Sequence, residues 1–120
     1  MVAERLVSAA EPVTLPFAWE GSLRKVARKR VIQCALSRIC GVCRASLGRP
    51  VAFVGTPQEV ARNEFHFPPL HAACADQLCA FDAADPSWQV VTTSGFELVR
   101  AGRDDPDPEP RFAPNSLLEP

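Results

Sequence analysis

The first pattern in the chain is an amphipathic segment that runs from Leu23 to Leu36. Its apolar residues recur every three or four positions, and basic or polar residues fill most of the positions between them. These apolar residues are Leu23, Val26, Ala27, Val31, Cys34 and Ala35. Because this spacing matches the helical period, it predicts an amphipathic basic helix over about residues 22–38. The prolines and aromatic side chains of residues 1–22 predict an extended arm whose aromatics pack on the domain.

The middle of the chain alternates short apolar stretches with signals that begin or end an element. The continuous apolar stretch Val51–Val54 predicts a buried strand. Thr56-Pro57-Gln58-Glu59 contains a capping residue, a proline suited to the first helical position and a capping-box glutamate, so it predicts the start of a short helix. Residues 64–67 predict a short strand that a Pro-Pro pair ends, and a helix through about residue 82 follows.

The last third of the chain predicts a strand pair and then a segment without regular structure. Residues 88–93 and 96–100 are rich in β-forming residues and flank Ser94-Gly95, which predicts a β-hairpin. From Gly102 onward the chain is acidic and rich in proline. Such a composition buries little surface, so residues 102–120 predict a disordered acidic tail.

Two ligand pairs stand at positions where a turn and a helix start are predicted independently. Cys40 and Cys43 form a CxxC pair, and His71 and Cys74 lie three residues apart in the first turn of the later helix. A CxxC turn directs two sulfurs at one point, and a helix places residues three apart on one face. Cys and His in this number are the ligands of a closed tetrahedral Zn²⁺ site, so we expect structural zinc.

The order of these elements predicts the fold class. A cysteine knuckle, a hairpin-like excursion with an inserted helix, and a helix that presents the second ligand pair together predict an α+β fold with a small treble-clef-like zinc-binding domain. We expect this domain to span residues 23–101, with the basic helix at its start and the β-hairpin at its end. A chain of 120 residues has a small core, and a structural metal would add stability that such a core lacks.

Cysteine usage bears on the compartment. Five cysteines is an odd number, and no apolar run is long enough for a secretory signal or a membrane span. We therefore expect a cytoplasmic protein with reduced thiols and no membrane partner. Three cysteines are assigned to the metal, and we expect Cys34 and Cys79 to be small buried apolar residues.

Charge is distributed unevenly along the chain. The formal net charge is −1, but residues 1–60 carry nine Lys/Arg and four Asp/Glu, whereas residues 61–120 carry four and ten. Five cations precede the metal ligands within seven residues: Arg24, Lys25, Arg28, Lys29 and Arg30. Such a stripe predicts contact with nucleic-acid phosphates, and its alternatives are a solvated face or an internal partner for the acidic tail.

No enzyme class is indicated by the sequence. It contains no Gly-rich phosphate loop and no Ser-His-Asp set, and no small-molecule substrate is evident. We therefore expect a binding module that is not an enzyme, with nucleic acid as the first partner class and a protein as the second, in which case the chain is an interaction adaptor.

His66, with Asn63 three residues upstream, resembles the base and orienting residue of HNH-type nucleases, whose scaffold is also treble-clef-like. The resemblance implies a degenerate nuclease as a third alternative. The chain departs from the pattern because no Asp-His or His-His pair stands at the strand position of the base. A strand histidine with a partner inside the fold is the reading that we favour for His66.

A broader resemblance covers roughly residues 12–100. It is carried by the segments Leu15–Gly21, the Arg-rich helix, Ile39–Cys43, Pro50–Gly55 and Phe65–Cys74. In these segments the chain resembles a group of small zinc-binding proteins from actinobacteria and their phages. The resemblance implies the zinc fold and leaves the function open.

Overall fold

The computed structural model describes residues 15–116, and all structural statements refer to this part of the chain. Three helices and seven strands form an α+β fold. The helices are α1 (Arg28–Ser37), α2 (Pro57–Arg62) and α3 (Ala72–Cys79). The strands are β1 (Trp19–Glu20), β2 (Ser22–Val26), β3 (Val51–Gly55), β4 (Leu70–His71), β5 (Gln89–Thr93), β6 (Phe96–Val99) and β7 (Arg111–Pro114). No helix among these residues is long and apolar enough to cross a bilayer.

Strand β3 is the centre of the fold. It pairs antiparallel with β4 on one side and with β5 on the other, with Ala52 opposite Leu70 and Thr92. All five residues of β3 are buried, as expected for the continuous apolar stretch seen in the sequence. Both α2 and α3 contact this strand. The strand predicted at Val51–Val54 is confirmed.

The main core beside β3 is a group of phenylalanines. The ring of Phe53 lies 5.5 to 5.7 Å, between centroids, from the rings of Phe65, Phe96 and Phe112. Phe53, Phe65 and Phe112 are almost fully buried. Because these residues come from four distant parts of the sequence, the group joins the central sheet to the C-terminal part of the chain.

The short helix α2 follows its sequence signals closely. Thr56 caps it by accepting a hydrogen bond from the Glu59 amide at 3.1 Å, and the Glu59 side chain accepts from the Thr56 amide at 3.0 Å. Pro57 occupies the first helical position, and Asn63 ends the helix in the left-handed conformation. The predicted capping box is confirmed.

The basic segment differs from its prediction. The helix begins at Arg28, and Ser22–Val26 is strand β2, which pairs with β1. Gly21, at φ +76°, reverses the chain between these strands, and the Ala27 amide donates to the Ala18 carbonyl at 2.7 Å. The prediction of a helix from residue 22 is wrong because a spacing of three between two apolar residues does not separate a helix turn from a strand end.

The predicted β-hairpin of residues 88–100 is also wrong, although both strands exist. Strand β5 pairs with β3, and β6 pairs with β7. The buried side chain of Thr93 shapes the corner between them, since its hydroxyl donates to the Gly95 carbonyl at 2.6 Å and accepts from the Gly95 amide. The chain therefore changes partner at this corner instead of folding back on itself.

The prediction of a disordered tail over residues 102–120 is wrong for Arg111–Pro114, which is strand β7. Phe112 is fully buried, and its backbone exchanges hydrogen bonds of 2.7 and 2.8 Å with Phe65. The strand predicted at residues 64–67 is reduced to this single bridge. The proline-rich composition of this segment gave no sign that Phe112 is buried in the core. Residues 1–14 of the predicted arm and residues 117–120 lie outside the described part of the chain.

The buried position of Phe112 leads to a stability prediction. Phe112→Ala should lower the free energy of unfolding by about 3–5 kcal/mol, because it opens a cavity in the phenylalanine group. Exposed Glu109→Ala should change it by less than about 0.5 kcal/mol. Urea unfolding at fixed zinc concentration measures both. If Phe112→Ala does not fold, Phe112→Leu provides a milder test. Equal unfolding midpoints for Phe112→Leu and the unmodified chain would contradict the stabilising role of Phe112 in the core.

Candidate metal centre

The four side chains predicted as ligands meet at one place. The Sγ atoms of Cys40, Cys43 and Cys74 and a ring nitrogen of His71 all lie within 4.8 Å of one another. Among residues 15–116 this is the group of His, Cys, Asp and Glu side chains with the spacing of a metal site. The sequence pattern therefore predicted the cluster correctly, and the cluster is compatible with a bound metal ion.

Local hydrogen bonds shape the Cys40–Cys43 turn. The Cys40 amide donates to the Ala45 carbonyl at 2.8 Å, and the Arg44 amide donates to the Cys40 carbonyl at 2.9 Å. Arg44 adopts the left-handed conformation at φ +70°, which lets the chain turn back after the second cysteine. Both sulfurs are thereby held on the inner side of one tight turn.

Gly41 lets this turn lie against the segment that leads to His71. A Cβ atom at Gly41 would lie 2.3 Å from Cγ of Pro68, so a larger residue would push the two segments apart. The Gly41 amide donates to the Pro69 carbonyl at 2.9 Å. A glycine at this position is therefore needed for close approach, and the Pro-Pro pair forms the opposing wall.

The second ligand pair comes from the junction of β4 and α3. His71 pairs with Val51 in the sheet and is also the N-cap residue of α3, and Cys74 lies one turn later. The Nδ1 atom of His71 lies 3.3 Å from Sγ of Cys43 and 3.8 Å from Sγ of Cys74. Tetrahedral zinc with ordinary bond lengths separates such sulfur and nitrogen atoms by about 3.6 Å. The observed distances lie on either side of this value.

The tautomer of His71 follows from its other ring nitrogen. Nε2 lies 2.8 Å from the backbone carbonyl oxygen of Ser46, which can only accept a hydrogen bond. Nε2 therefore carries a proton, and the neutral ring presents the Nδ1 lone pair to the sulfurs. A hydrogen bond of this kind typically orients a metal-ligating histidine.

The sulfur atoms occupy different environments. Cys40 is fully buried, and its Sγ accepts hydrogen bonds from the amides of Val42 and His71, each at 3.4 Å. Cys74 is partly buried and Cys43 is exposed. The two backbone amides thus fix the position of the Cys40 sulfur at the centre of the cluster.

The clustered sulfurs influence the ionisation of Cys43 and Cys74 in opposite directions. Burial, together with the neighbouring Cys40 sulfur, raises the pKa of the Cys74 thiol to about 12. Burial would also raise the pKa of Cys43, but hydrogen bonds from the Ala45 backbone and from the side chains of Cys40 and Cys74 lower it below its ordinary value. Three sulfurs at this distance repel one another when charged, and a divalent ion would remove that repulsion.

The two remaining cysteines lie outside the cluster. Cys34 is fully buried on α1, and burial raises the pKa of its thiol to about 12, with the Cys40 sulfur as a further cause. Cys79 at the end of α3 is partly buried, and burial raises the pKa of its thiol as well. Both remain neutral thiols at physiological pH.

The five basic residues predicted as a stripe lie on two successive elements. Arg24 and Lys25 are on β2, where Arg24 pairs with Asp85 at 3.1 Å and Lys25 reaches Glu20 at 4.0 Å. The other three, Arg28, Lys29 and Arg30, form the exposed first turn of α1. Arg24, Lys25 and Arg28 nevertheless line one cleft, so the basic run continues across the junction of strand and helix.

One aromatic ring holds two arginines, of which Arg44 directly follows the ligand Cys43 in the chain. The guanidinium carbons of Arg30 and Arg44 lie 5.6 and 4.9 Å from the ring centroid of Phe17. Arg30 also donates to the Phe17 carbonyl at 3.1 Å. The sequence did not reveal this grouping, because the three residues are not adjacent in the chain.

His66 is held between two carboxylates. Its Nδ1 lies 2.5 Å from Glu59 and its Nε2 lies 2.6 Å from Asp107. The hydrogen bond to Glu59 raises the pKa of His66, burial lowers it, and the hydrogen bond to Asp107 raises it further. The resulting pKa is about 9. Because the ring is protonated at neutral pH and both nitrogens are engaged, it is not poised to act as a general base. Asn63 donates to the Pro114 carbonyl at 2.8 Å, which is a structural role.

The sequence missed the partner of His66 that comes from the C-terminal part of the chain. Asp107 lies in the segment that was expected to be disordered, so no local pattern pointed to the contact. The favoured interpretation, in which His66 finds its partners inside the fold, agrees with the structure.

Comparison of the chain with family models, curated proteins and solved structures finds no match. The resemblance to small actinobacterial and phage proteins therefore stays a prediction.

The clamped imidazole leads to a prediction about pH. A pKa of about 9 lies above the ordinary value of 6.5, so the folded chain binds this proton more tightly than the unfolded chain. The resulting stability is fully present below pH 6.5 and is lost as the pH rises through about 9. His66→Gln should remove this part of the pH dependence of Tm, measured in excess zinc. If an NMR titration of His66 gives a midpoint near the ordinary histidine pKa, the pairing of His66 with Glu59 and Asp107 would be contradicted.

Proposed function

We propose that Cys40, Cys43, His71 and Cys74 hold one structural zinc ion in a treble-clef-like domain that binds a partner and does not catalyse a reaction. The order of elements supports this fold: a cysteine turn, the β3 and β4 pair with α2 inserted between its strands, and then α3. In a treble clef the first turn of the final helix supplies the second ligand pair, and Cys74 occupies that position.

The donor set supports zinc and a structural role. Three sulfurs and one imidazole nitrogen complete a tetrahedral shell, which leaves no position for an activated water or a substrate. Sulfur and imidazole ligands suit zinc better than magnesium or calcium, which prefer oxygen. Three thiolates and a neutral histidine would give the zinc site a formal charge of −1, and Arg44, which follows Cys43 in the chain, would offset part of it.

A long segment without acidic residues carries the proposal for the partner. Between Glu20 and Glu59 the sequence contains no Asp or Glu and eight basic residues. These are Arg24, Lys25, Arg28, Lys29, Arg30, Arg38, Arg44 and Arg49. The segment includes all of α1 and the Cys40–Cys43 turn. A folded unit whose overall charge is near zero but which concentrates cations in one segment is suited to a polyanion.

The exposed first turn of α1 is the best surface for nucleic-acid phosphates. Arg28 and Lys29 are exposed, and the ion pairs found within residues 15–116 involve neither of them. Arg24, by contrast, is paired with Asp85. A phosphate can therefore approach Arg28 and Lys29 without first displacing an internal carboxylate. Such a contact recognises the charge of the phosphate backbone and does not distinguish between base sequences.

A protein partner with an acidic surface is the second candidate. Leu36 on the same helix is 68% exposed, which is unusual for a large apolar residue. An exposed apolar side chain on a helix that also carries cations suits a protein interface, where it supplies area that is removed from water. In this case the chain would be an interaction adaptor, and Leu36 would contribute as much as the charges.

The metal proposal predicts one zinc ion per chain. Protein purified without chelator should contain one zinc, measured by elemental analysis together with native mass, and a strong chelator should unfold it. Cys74→Ser should lose the metal because it removes one of four ligands. Cys79→Ser, a cysteine of the same helix outside the cluster, should retain it. A folded chain without metal would contradict the proposal.

The nucleic-acid proposal predicts binding that depends steeply on salt. A fluorescently labelled oligonucleotide should bind at low salt, and log K should fall linearly with log salt concentration, by about 0.9 for each duplex phosphate that is neutralised. The double variant Arg28→Glu, Lys29→Glu should weaken binding by about tenfold or more. Fluorescence anisotropy measures both effects.

A matched double variant provides the control for this experiment. Arg62→Glu with Arg100→Glu changes the net charge by the same amount at exposed positions outside the basic segment. It should weaken binding much less. Equal losses in the two double variants, or no binding at low salt, would contradict the nucleic-acid proposal. Loss of a captured protein partner in Leu36→Ala would favour the adaptor.

A further inference from the structure

A second cationic site is a cleft of 440 Å³ at the C-terminal end of α1. Arg38, at the C-terminal end of α1, and Arg49 contribute to its walls. Ser94, Phe96 and Asn115 line it as well, from the corner between β5 and β6 and from the end of β7. None of the residues that line the cleft is acidic.

Backbone hydrogen bonds hold the walls of this cleft in place. The Leu47 amide donates to the Arg38 carbonyl at 2.9 Å, which ties the loop before Arg49 to the end of α1. On the other side, the Asn115 amide donates to the Gly95 carbonyl at 3.1 Å. A Cβ atom at Gly95 would lie 2.8 Å from Oδ1 of Asn115, so glycine allows this side chain its position.

The charges of the cleft are not balanced by the protein around it. The guanidinium carbon of Arg38 lies 5.0 Å from the centroid of the Phe96 ring, which fixes its position without neutralising it. Within residues 15–116 neither Arg38 nor Arg49 is part of an ion pair. Two cations that face one concave space repel each other, and an anion between them would relieve that repulsion.

We infer that this cleft binds a phosphate group, carried by a nucleic acid or by a free phosphorylated molecule. The planar guanidinium groups of Arg38 and Arg49 match the geometry of phosphate oxygens, and each can donate two hydrogen bonds. The Ser94 hydroxyl and the Asn115 amide are neutral donors at the same cleft. For a nucleic acid, the inference rests on the proposed function and adds a phosphate contact at the opposite end of α1 from Arg28.

The test begins with inorganic phosphate on the full, zinc-loaded chain. Amide and arginine Nε–Hε signals are followed by NMR during a phosphate titration and compared with chloride at equal ionic strength. We expect saturable shifts confined to Gly48 and Gly95, which also line the cleft, and to the two arginines. Arg49→Gln should weaken binding at least fivefold, whereas Arg100→Gln, an exposed arginine outside the cleft, should leave it unchanged.

Unsaturable or unspecific phosphate binding would overturn this site. Shifts that do not saturate, or equal weakening by Arg49→Gln and Arg100→Gln, would reduce the effect to general charge attraction. If the spectrum of Arg49→Gln shows altered folding, Ser94→Ala replaces it, because this change removes a donor and leaves both cations. Unchanged phosphate affinity in a folded Ser94→Ala variant would then overturn the site as described.

A second arm identifies the source of the phosphate. If Arg49→Gln and added inorganic phosphate both weaken oligonucleotide binding, the cleft takes a nucleic-acid phosphodiester. If phosphate binds but Arg49→Gln leaves oligonucleotide binding unchanged, the cleft takes a free phosphorylated molecule. If the oligonucleotide depends on Arg28 and Lys29 while phosphate does not bind, the proposed function stands and the inference about the cleft fails.

Discussion

The close approach of the Cys40–Cys43 turn to the segment before His71 is the constraint on which the rest of the structure depends. Gly41 allows this approach because a side chain there would collide with Pro68. The same approach brings the Ser46 carbonyl to Nε2 of His71 and so fixes the ring nitrogen that faces the sulfurs. His71 is also the last residue of β4 and the N-cap of α3. The ligand cluster, the edge of the sheet and the start of the helix are thus set by one contact, and a metal at the cluster would hold all three together.

The parts of the fold that were predictable from the sequence are those that depend on neighbouring residues. Three features depend only on residues that are close together in the sequence, so local chemistry defines them. They are the capping box of α2, the buried strand β3 and the two ligand pairs. The start of α1 was misjudged because Leu23 and Val26 suit a strand as well as a helix. The partners of β5 and β6 were misjudged because pairing is a long-range choice, and the Thr93 corner that separates them has no simple sequence signal. Strand β7 and the burial of Phe112 were not predicted, because the surrounding acidic, proline-rich composition is typical of disorder.

The acidic half of the chain uses its charges internally, which bears on what the basic half can do. Asp107 pairs with His66, and Asp105 and Glu64 pair with Arg111. Both arrangements fasten the C-terminal segment to the domain beside β7. Of the acidic residues after position 60, Asp85 is the one that pairs with the basic segment within residues 15–116, through Arg24. The described part of the acidic tail is therefore not the internal partner of α1, and the cations of α1 stay accessible.

The position of α1 connects the proposed metal to the proposed binding surfaces. Val31 and Cys34 bury one side of this helix in the core, and the buried Cys34 lies close enough to Cys40 for the Cys40 sulfur to raise the pKa of its thiol. The opposite side carries Lys29 and Leu36, and Arg28 is exposed one turn before Val31. Arg38 at the end of the helix reaches the second cleft. A helix of three turns cannot hold its orientation alone, so its exposed side keeps its position only while the core around Cys40 is ordered. A structural ion would thereby determine the binding surface without touching the partner.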